Sequence, residues 1–305
     1  MDCRPLQRGA DQTQLWPVLR SCGHRNRRHR GGSVADDIAT RGTQALTLYG
    51  QGRVQEALTL AWQTAAAYPD SPLAQYAYAS LLREAGRHAE ALAVVDQALR
   101  LSPASADAWV LRGDLQQKVT GLAAAEPDYL QALRIDPGHG LAIHNLAVSR
   151  LRWGTNTAAL RGLLQAMRCD PGLAQTALGN IALAITRVLR MATASTVLLA
   201  AAMVAIFTLH DQGQSTVLAR VFTAILAAAP IAAVCWTLRM VPSAVLRAAA
   251  ARHVIVALRL IFLTLAGACG LVVAVLGATW LTTVVPALLL FAMVGLTILG
   301  WVFGG

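Results

Sequence analysis

GRHAEALAVVDQALRLSP, residues 86–103, decides the fold. The segment opens on a glycine, places Ala91 and Ala98 seven residues apart on one helical face, and stops at Pro103. Pro103 belongs to a series, Pro69, Pro103, Pro137 and Pro171, with 34 residues between successive members. Twelve residues before each proline stand Ala57, Ala91, Ala125 and Ala159. Five before stand Thr64, Ala98, Ala132 and Ala166, and 24 before stand Ala45, Ala79, Gly113 and Ala147. A fixed period of this length is the mark of a repeat architecture. Small residues at three phases let two helices of a unit, and the next unit, approach closely. Proline ends the second helix because it lacks an N–H and clashes with the preceding turn. Such hairpins bury their apolar faces only by stacking on neighbours.

This register resembles the tetratricopeptide repeat, with four repeats over residues 38–171. The family pattern places small residues at positions 8, 20 and 27, glycine near 15, a large apolar residue at 24 and proline at 32. Gly52, Gly86 and Gly154 take the turn position, and Val95, Tyr129 and Leu164 are assigned to position 24. Trp109 and Gly113 supply the family's Trp…Gly pair in the third repeat. Four departures are visible. Ala61 stands at position 24 of the first repeat, and Arg41 and Gln44 occupy positions usually apolar, so that repeat is expected to fray. Thr120 takes the third turn position with Gly121 following, and Pro127 falls inside the third repeat's second helix, predicting a kink or a late start.

The remainder of the chain is of another kind. Of 305 residues, 55% are hydrophobic and only 14% charged, with mean hydropathy +0.48. A soluble domain carries about 25% charged residues, which argues against a wholly soluble globule; the ample apolar surface excludes a disordered chain, and five scattered cysteines exclude a small disulfide scaffold. Met191–Leu209 and Val221–Leu238 hold no charge, and none follows Arg259 for 46 residues. As one helix that last run would extend about 69 Å, against a hydrocarbon core of about 30 Å, so it must cross twice. The predicted spans are 191–210, 219–238, 254–277 and 281–302, preceded by a capping helix over 173–190. The fold class is therefore all-α: a solenoid of helical hairpins over residues 34–172, then a four-helix transmembrane bundle over 191–305.

The formal charge of +10 divides unevenly. Residues 34–172 carry twelve basic and thirteen acidic side chains, whereas 173–305 carry seven Arg against Asp211 alone. Arg187 and Arg190 precede the first span and Arg239, Arg247 and Arg252 fill the central loop, whereas the first hairpin loop has only Arg220, which predicts both termini on the cytoplasmic side; a bacterial inner membrane is the expected location. His253 and Arg259 are read as interface anchors that snorkel at a helix end. Pro230 and Pro286 fall within spans, as prolines of transporters do. The rows Ala224, Ala228, Ala232 and Ala266, Gly270, Ala274, Ala278 predict close helix contacts within the bundle or across a homo-oligomer.

Residues 1–33 hold seven Arg against two Asp and lie outside the repeat register. They are read as a basic, disordered arm, or as a stretch upstream of a start at Val34. Neither nucleic-acid binding nor a metal at Cys22, His24 and His29 is expected. The chain carries no GxxxxGK[ST], HExxH, GxSxG or CxxC, so neither a catalytic residue nor a cofactor is predicted. His139 is read as a solvated loop residue, and Asp36–Asp37 and Glu126…Asp128 as acidic helix starts.

The family resemblance implies a concave groove lined by positions 2, 5, 9, 12 and 13 of each first helix. Here these include Tyr76, Ser80, Arg83 and Glu84, then Asp107, Asp114, Gln117 and Lys118, then His144 and Arg152. The mixed charge with one aromatic suits an extended peptide or a helix. The Lys/Asn clamp with which some members hold a C-terminal carboxylate is not reproduced. The expected function is a membrane-anchored adaptor that binds a protein partner on the cytoplasmic side. The alternative is a small transporter or channel subunit regulated by its repeats, which a charged residue facing the bundle interior would favour.

Overall fold

The computed structural model describes residues 34–152, 156–252 and 254–302, all in helices and their connections. The basic arm of residues 1–33, Gly154 and His253 lie outside these. The chain divides into two compact units, one up to Ala142 and one from Ile143 onward.

Among the described residues of the first unit, six helices form three hairpins: α1 (Val34–Gly50) with α2 (Val54–Ala67), α3 (Pro72–Glu84) with α4 (His88–Leu101), and α5 (Ala106–Val119) with α6 (Leu122–Ile135). The first helices α1, α3 and α5 adjoin one another, so they make one layer of the stack. Gly52 and Gly86 hold φ of 80° and 78°, a left-handed conformation that ends a helix at little cost for glycine. The N–H of Arg53 then reaches the Leu48 carbonyl at 3.0 Å, and that of Arg87 the Leu82 carbonyl at 2.9 Å. In the third hairpin Gly121, with φ of 118°, makes the turn one residue later than the register requires. Ser71 and Ser105 cap α3 and α5 through their hydroxyls, which accept the N–H of Ala74 and Ala108.

All twelve small-residue positions of the register are buried, including those of the fourth repeat in the second unit. Three expectations change. Residue 24 of the fourth repeat is Leu163, fully buried, while Leu164 is half-buried beside it; counting 34 onward from Tyr129 lands on Leu163. The first repeat has both helices complete, and Ile38 and Ala45 carry the buried face of α1. The helix holding Pro127 begins at Leu122, so proline sits in its interior and the late start is overturned. Glu126 and Asp128 consequently lie mid-helix.

The second unit begins within α7 (Gly140–Arg152), which is followed by α8 (Asn156–Cys169), a 3₁₀ turn over Pro171–Leu173, and α9 (Ala174–Asp211). Gly162 lets α8 approach α7, since a Cβ there would stand 2.8 Å from that of Ala147. The 38 residues of α9 extend about 57 Å. Its first part packs on α8, and the Arg187 guanidinium donates to the Leu151 carbonyl at 2.6 Å. Its second part joins α10 (Val217–Met240), α12 (Val254–Leu276) and α13 (Leu281–Val302), with α11 (Ser243–Arg252) alongside. Among the described residues, four helices are long and apolar enough to cross a membrane.

The bundle is apolar inside and outside. Ile181, Ile185, Leu189, Leu199 and Met203 are fully buried, yet Leu218, Val275 and Phe291 are more than 70% exposed. Water would reject such a coat, and hydrocarbon accepts it. Gly270 packs against Ala227, where a Cβ would stand 2.7 Å from the alanine methyl. The small-residue row of α12 thus turns inward, with Ala266 and Gly270 buried, but on α10 the contact is made by Ala227 while Ala228 and Ala232 face outward. Arg259 also departs from expectation. It is 2% exposed, its side chain enclosed among helices instead of extended outward as a snorkelling anchor would be.

Candidate partner-binding face

On the α1, α3, α5 layer, charged residues pair across helices. Arg83 of α3 donates to Glu84 at 2.7 Å and to Asp114 of α5 at 3.1 Å. The Tyr129 hydroxyl donates to the other Asp114 oxygen at 2.8 Å. Tyr49 of α1 donates to the Glu84 backbone carbonyl at 2.7 Å. Arg83, Glu84 and Asp114 are between 14% and 19% exposed, so this chain of bonds is part of the structure, not a set of solvated charges. Burial pushes the Tyr76 phenol well above its usual range; Asp107 and Asp114 add to the effect and Arg83 opposes it. Tyr129 is shifted the same way, first by burial and then by Asp114. Both phenols therefore stay protonated and available as donors.

The ten residues named from the sequence fall into three groups. Tyr76, Arg83, Glu84, Asp107, Asp114 and Gln117 are partly exposed, and Lys118 is exposed. Ser80 is buried and so does not reach the surface. His144 and Arg152 belong to the second unit: Arg152 is exposed, while His144 is buried with Nε2 accepting from the Asn180 amide at 3.3 Å. Burial holds His144 below its usual pKa, so it is neutral at pH 7.

Sequence reasoning missed two contributors. Tyr129 sits at a position read as merely large and apolar, yet a buried phenol needs an acceptor, and Asp114 provides one. His139 is not solvated. Its Nδ1 accepts the N–H of Ala142 at 3.2 Å and its Nε2 lies 3.1 Å from Asp107. It stands 34 residues after Ser105 and does the same capping work, a signal the spacing itself carried. Burial acts to lower its pKa, but the hydrogen bond and charge of Asp107 prevail and raise it.

On the opposite helix surfaces Arg112 joins three helices, donating to Asp96 of α4 at 2.7 Å and Asp128 of α6 at 2.5 Å. The same guanidinium lies 5.5 Å from the Trp109 ring centre.

Stacked helical hairpins with an interdigitated polar face, joined to an apolar four-helix bundle, define a repeat protein of the interaction class with a membrane domain. Residues 43–106 match the profile of the tetratricopeptide repeat family, and the helical hairpins within that stretch are tetratricopeptide repeats. Protein FlbA of Caulobacter vibrioides is 33% identical over 127 residues, which are 40% of this chain and 21% of that protein. The chain thus spans about a fifth of that relative's length. Among solved structures, a thermophilic TPR protein of Thermus thermophilus, TTC0263, is 19% identical and superposes with a TM-score of 0.43, covering 57% of this chain and 94% of its own. MamA of Desulfovibrio magneticus RS-1 is 18% identical with a TM-score of 0.42, covering 51% and 87% respectively.

Proposed function

We propose that the chain is a membrane-anchored adaptor that binds a protein segment on the α1, α3, α5 face and holds it at the cytoplasmic side of a bacterial inner membrane. Both termini would lie in the cytoplasm, with the outward Ala228 and Ala232 row of α10 available to a second copy. The carrying observation is the cross-helix network Glu84–Arg83–Asp114–Tyr129, which rigidifies the layer and leaves Lys118 and Asp107 at its rim. A preorganised polar face of this type suits an extended peptide or a helix, because ordering costs are already met. The work is positioning, with no chemical step assigned to any residue.

Lys118, exposed at the rim, serves the test better than Arg83 or Asp107, whose replacement would break contacts to Asp114 and His139 that belong to the fold. Full-length protein and a Lys118→Glu variant are compared by pull-down from native membranes, alongside a version lacking residues 34–139. A partner retained by the parent and lost by both others supports the adaptor. The same partners in all three would overturn it. Deleting residues 38–171 is less suitable, because α8 packs on α9.

One observation favours the second reading, a small transporter or channel subunit regulated by its repeats: Arg259 faces the bundle interior. The buried threonines add nothing to it. Thr193, Thr223 and Thr237 each donate to the carbonyl four residues back in their own helix, at 2.7–2.8 Å.

A further inference from the structure

Arg259 is the sixth residue of α12 and is 2% exposed. A guanidinium has five N–H donors, and burying one without acceptors is costly. Here Nη1 reaches the Thr186 carbonyl of α9 at a long 3.4 Å, and Nε has no partner among the described residues. Nη2 points at Gly300 of α13, where a Cβ would stand 3.0 Å away, so the absence of a side chain at residue 300 makes its room. The nearby charge is another cation, Arg190, exposed one turn beyond Thr186.

Among the described residues no carboxylate is ion-paired with either arginine. Residues 143–305 hold eleven Arg, no Lys and no Glu, with Asp170 and Asp211 as the acids. Asp211 lies 25 residues beyond Thr186 on α9, about 38 Å away along the helix. Asp170 precedes α9, whose first residue is Ala174. Neither acid of this unit is paired with Arg259, so an anion supplied from outside it can take that place. The depth of the site indicates which anion. Arg190 immediately precedes the charge-free run Met191–Leu209, and Arg259 lies a turn and a half into α12. Both thus stand where hydrocarbon gives way to headgroups. Basic pockets between membrane helices at that level suit lipid phosphate, and Arg binds phosphate through paired N–H donors.

We propose that Arg259, with Arg190 at its rim, anchors a phosphate-binding site between α9, α12 and α13, which holds the phosphodiester of an anionic phospholipid. Free inorganic phosphate shares the chemistry but not the acyl chains that the exposed apolar helices would accept. The site is independent of the partner-binding face, so either assignment stands without the other.

The test uses the full chain, delipidated in a neutral detergent, with three probes: phosphatidylglycerol, phosphatidylcholine and inorganic phosphate. Binding is read by native mass spectrometry and thermal unfolding. Phosphatidylglycerol should bind and raise the Tm, and phosphatidylcholine should not. Arg259→Gln should weaken phosphatidylglycerol at least about tenfold, the scale of one lost charge-assisted hydrogen bond. Arg190→Gln should have a smaller effect, and Arg247→Gln, an exposed arginine on α11, none. Gly300→Ala keeps every charge while crowding Nη2, so it should also weaken binding, and it serves if Arg259→Gln does not fold. Equal binding by parent and both site variants would overturn the proposal, as would an equal loss in Arg247→Gln, which would indicate diffuse attraction to a basic surface. Protection by inorganic phosphate with none from phosphatidylglycerol would overturn the lipid assignment.

Discussion

Replacing Gly113 by alanine tests the packing argument at its tightest point. In the helix interior that change alone favours the folded state by about 1 kcal/mol. Here the new Cβ would stand 2.6 Å from Cε1 and 2.9 Å from Cδ1 of Tyr129. Ordinary carbon contacts lie at about 3.5–4.0 Å, so the ring must retreat by roughly 1 Å. Tyr129 is 1% exposed, and its hydroxyl is tied to Asp114 at 2.8 Å, so retreat strains the core and stretches that bond. Overpacking costs about 1–3 kcal/mol and a weakened buried hydrogen bond about 1 kcal/mol. The net expectation is a loss of about 1–3 kcal/mol. Hydrogen exchange by mass spectrometry on the full chain in detergent reads this locally. Amides of residues 106–135 should exchange about five- to 140-fold faster, at 1.4 kcal/mol per tenfold. Size compensation supplies the control, because the second repeat pairs Ala79 with Val95 where the third pairs Gly113 with Tyr129. In a Tyr129→Val background, Gly113→Ala should be neutral or stabilising. Unchanged or greater protection in Gly113→Ala alone would refute the reasoning.

Arg112→Met should destabilise the first unit by about 1–3 kcal/mol, because Asp128 is 3% exposed and would be left without its cation; adding Asp128→Leu should recover most of this in the same exchange assay. Pro127→Ala should stabilise, by up to about 3 kcal/mol, since residue 127 is exposed in mid-helix and alanine restores an N–H donor; a lower opening energy for α6 would contradict it. His144, held below its usual pKa by burial, binds fewer protons folded than unfolded. Its contribution is therefore complete above about pH 6.5 and is lost as pH falls through the folded value; His144→Leu should flatten the fall in protection of α7 between pH 7 and pH 5. His139 has the opposite sign, its contribution being full below about pH 6.5 and lost as pH rises through its raised value.

The 34-residue register alone carried the hairpin fold, because only small residues permit such close helix contact and all twelve of them proved buried. The apolar runs after Met191 likewise required helices of membrane-spanning length, since nothing else satisfies the backbone in hydrocarbon. Hydrophobic pattern and spacing are one-dimensional properties, and they survive in sequence. Partner choice among side chains is not. Which acceptor Tyr129 finds, whether His139 is solvated or caps a helix, and which alanine of α10 meets Gly270 depend on helix rotation by fractions of a turn. Arg259 shows the difference most clearly. Its place near the end of an apolar run read as an interface anchor, because sequence gives depth along a helix. Only the packing of α9 and α13 around it determined that the guanidinium faces inward, with an orphan Nε donor and no ion-paired carboxylate among the described residues.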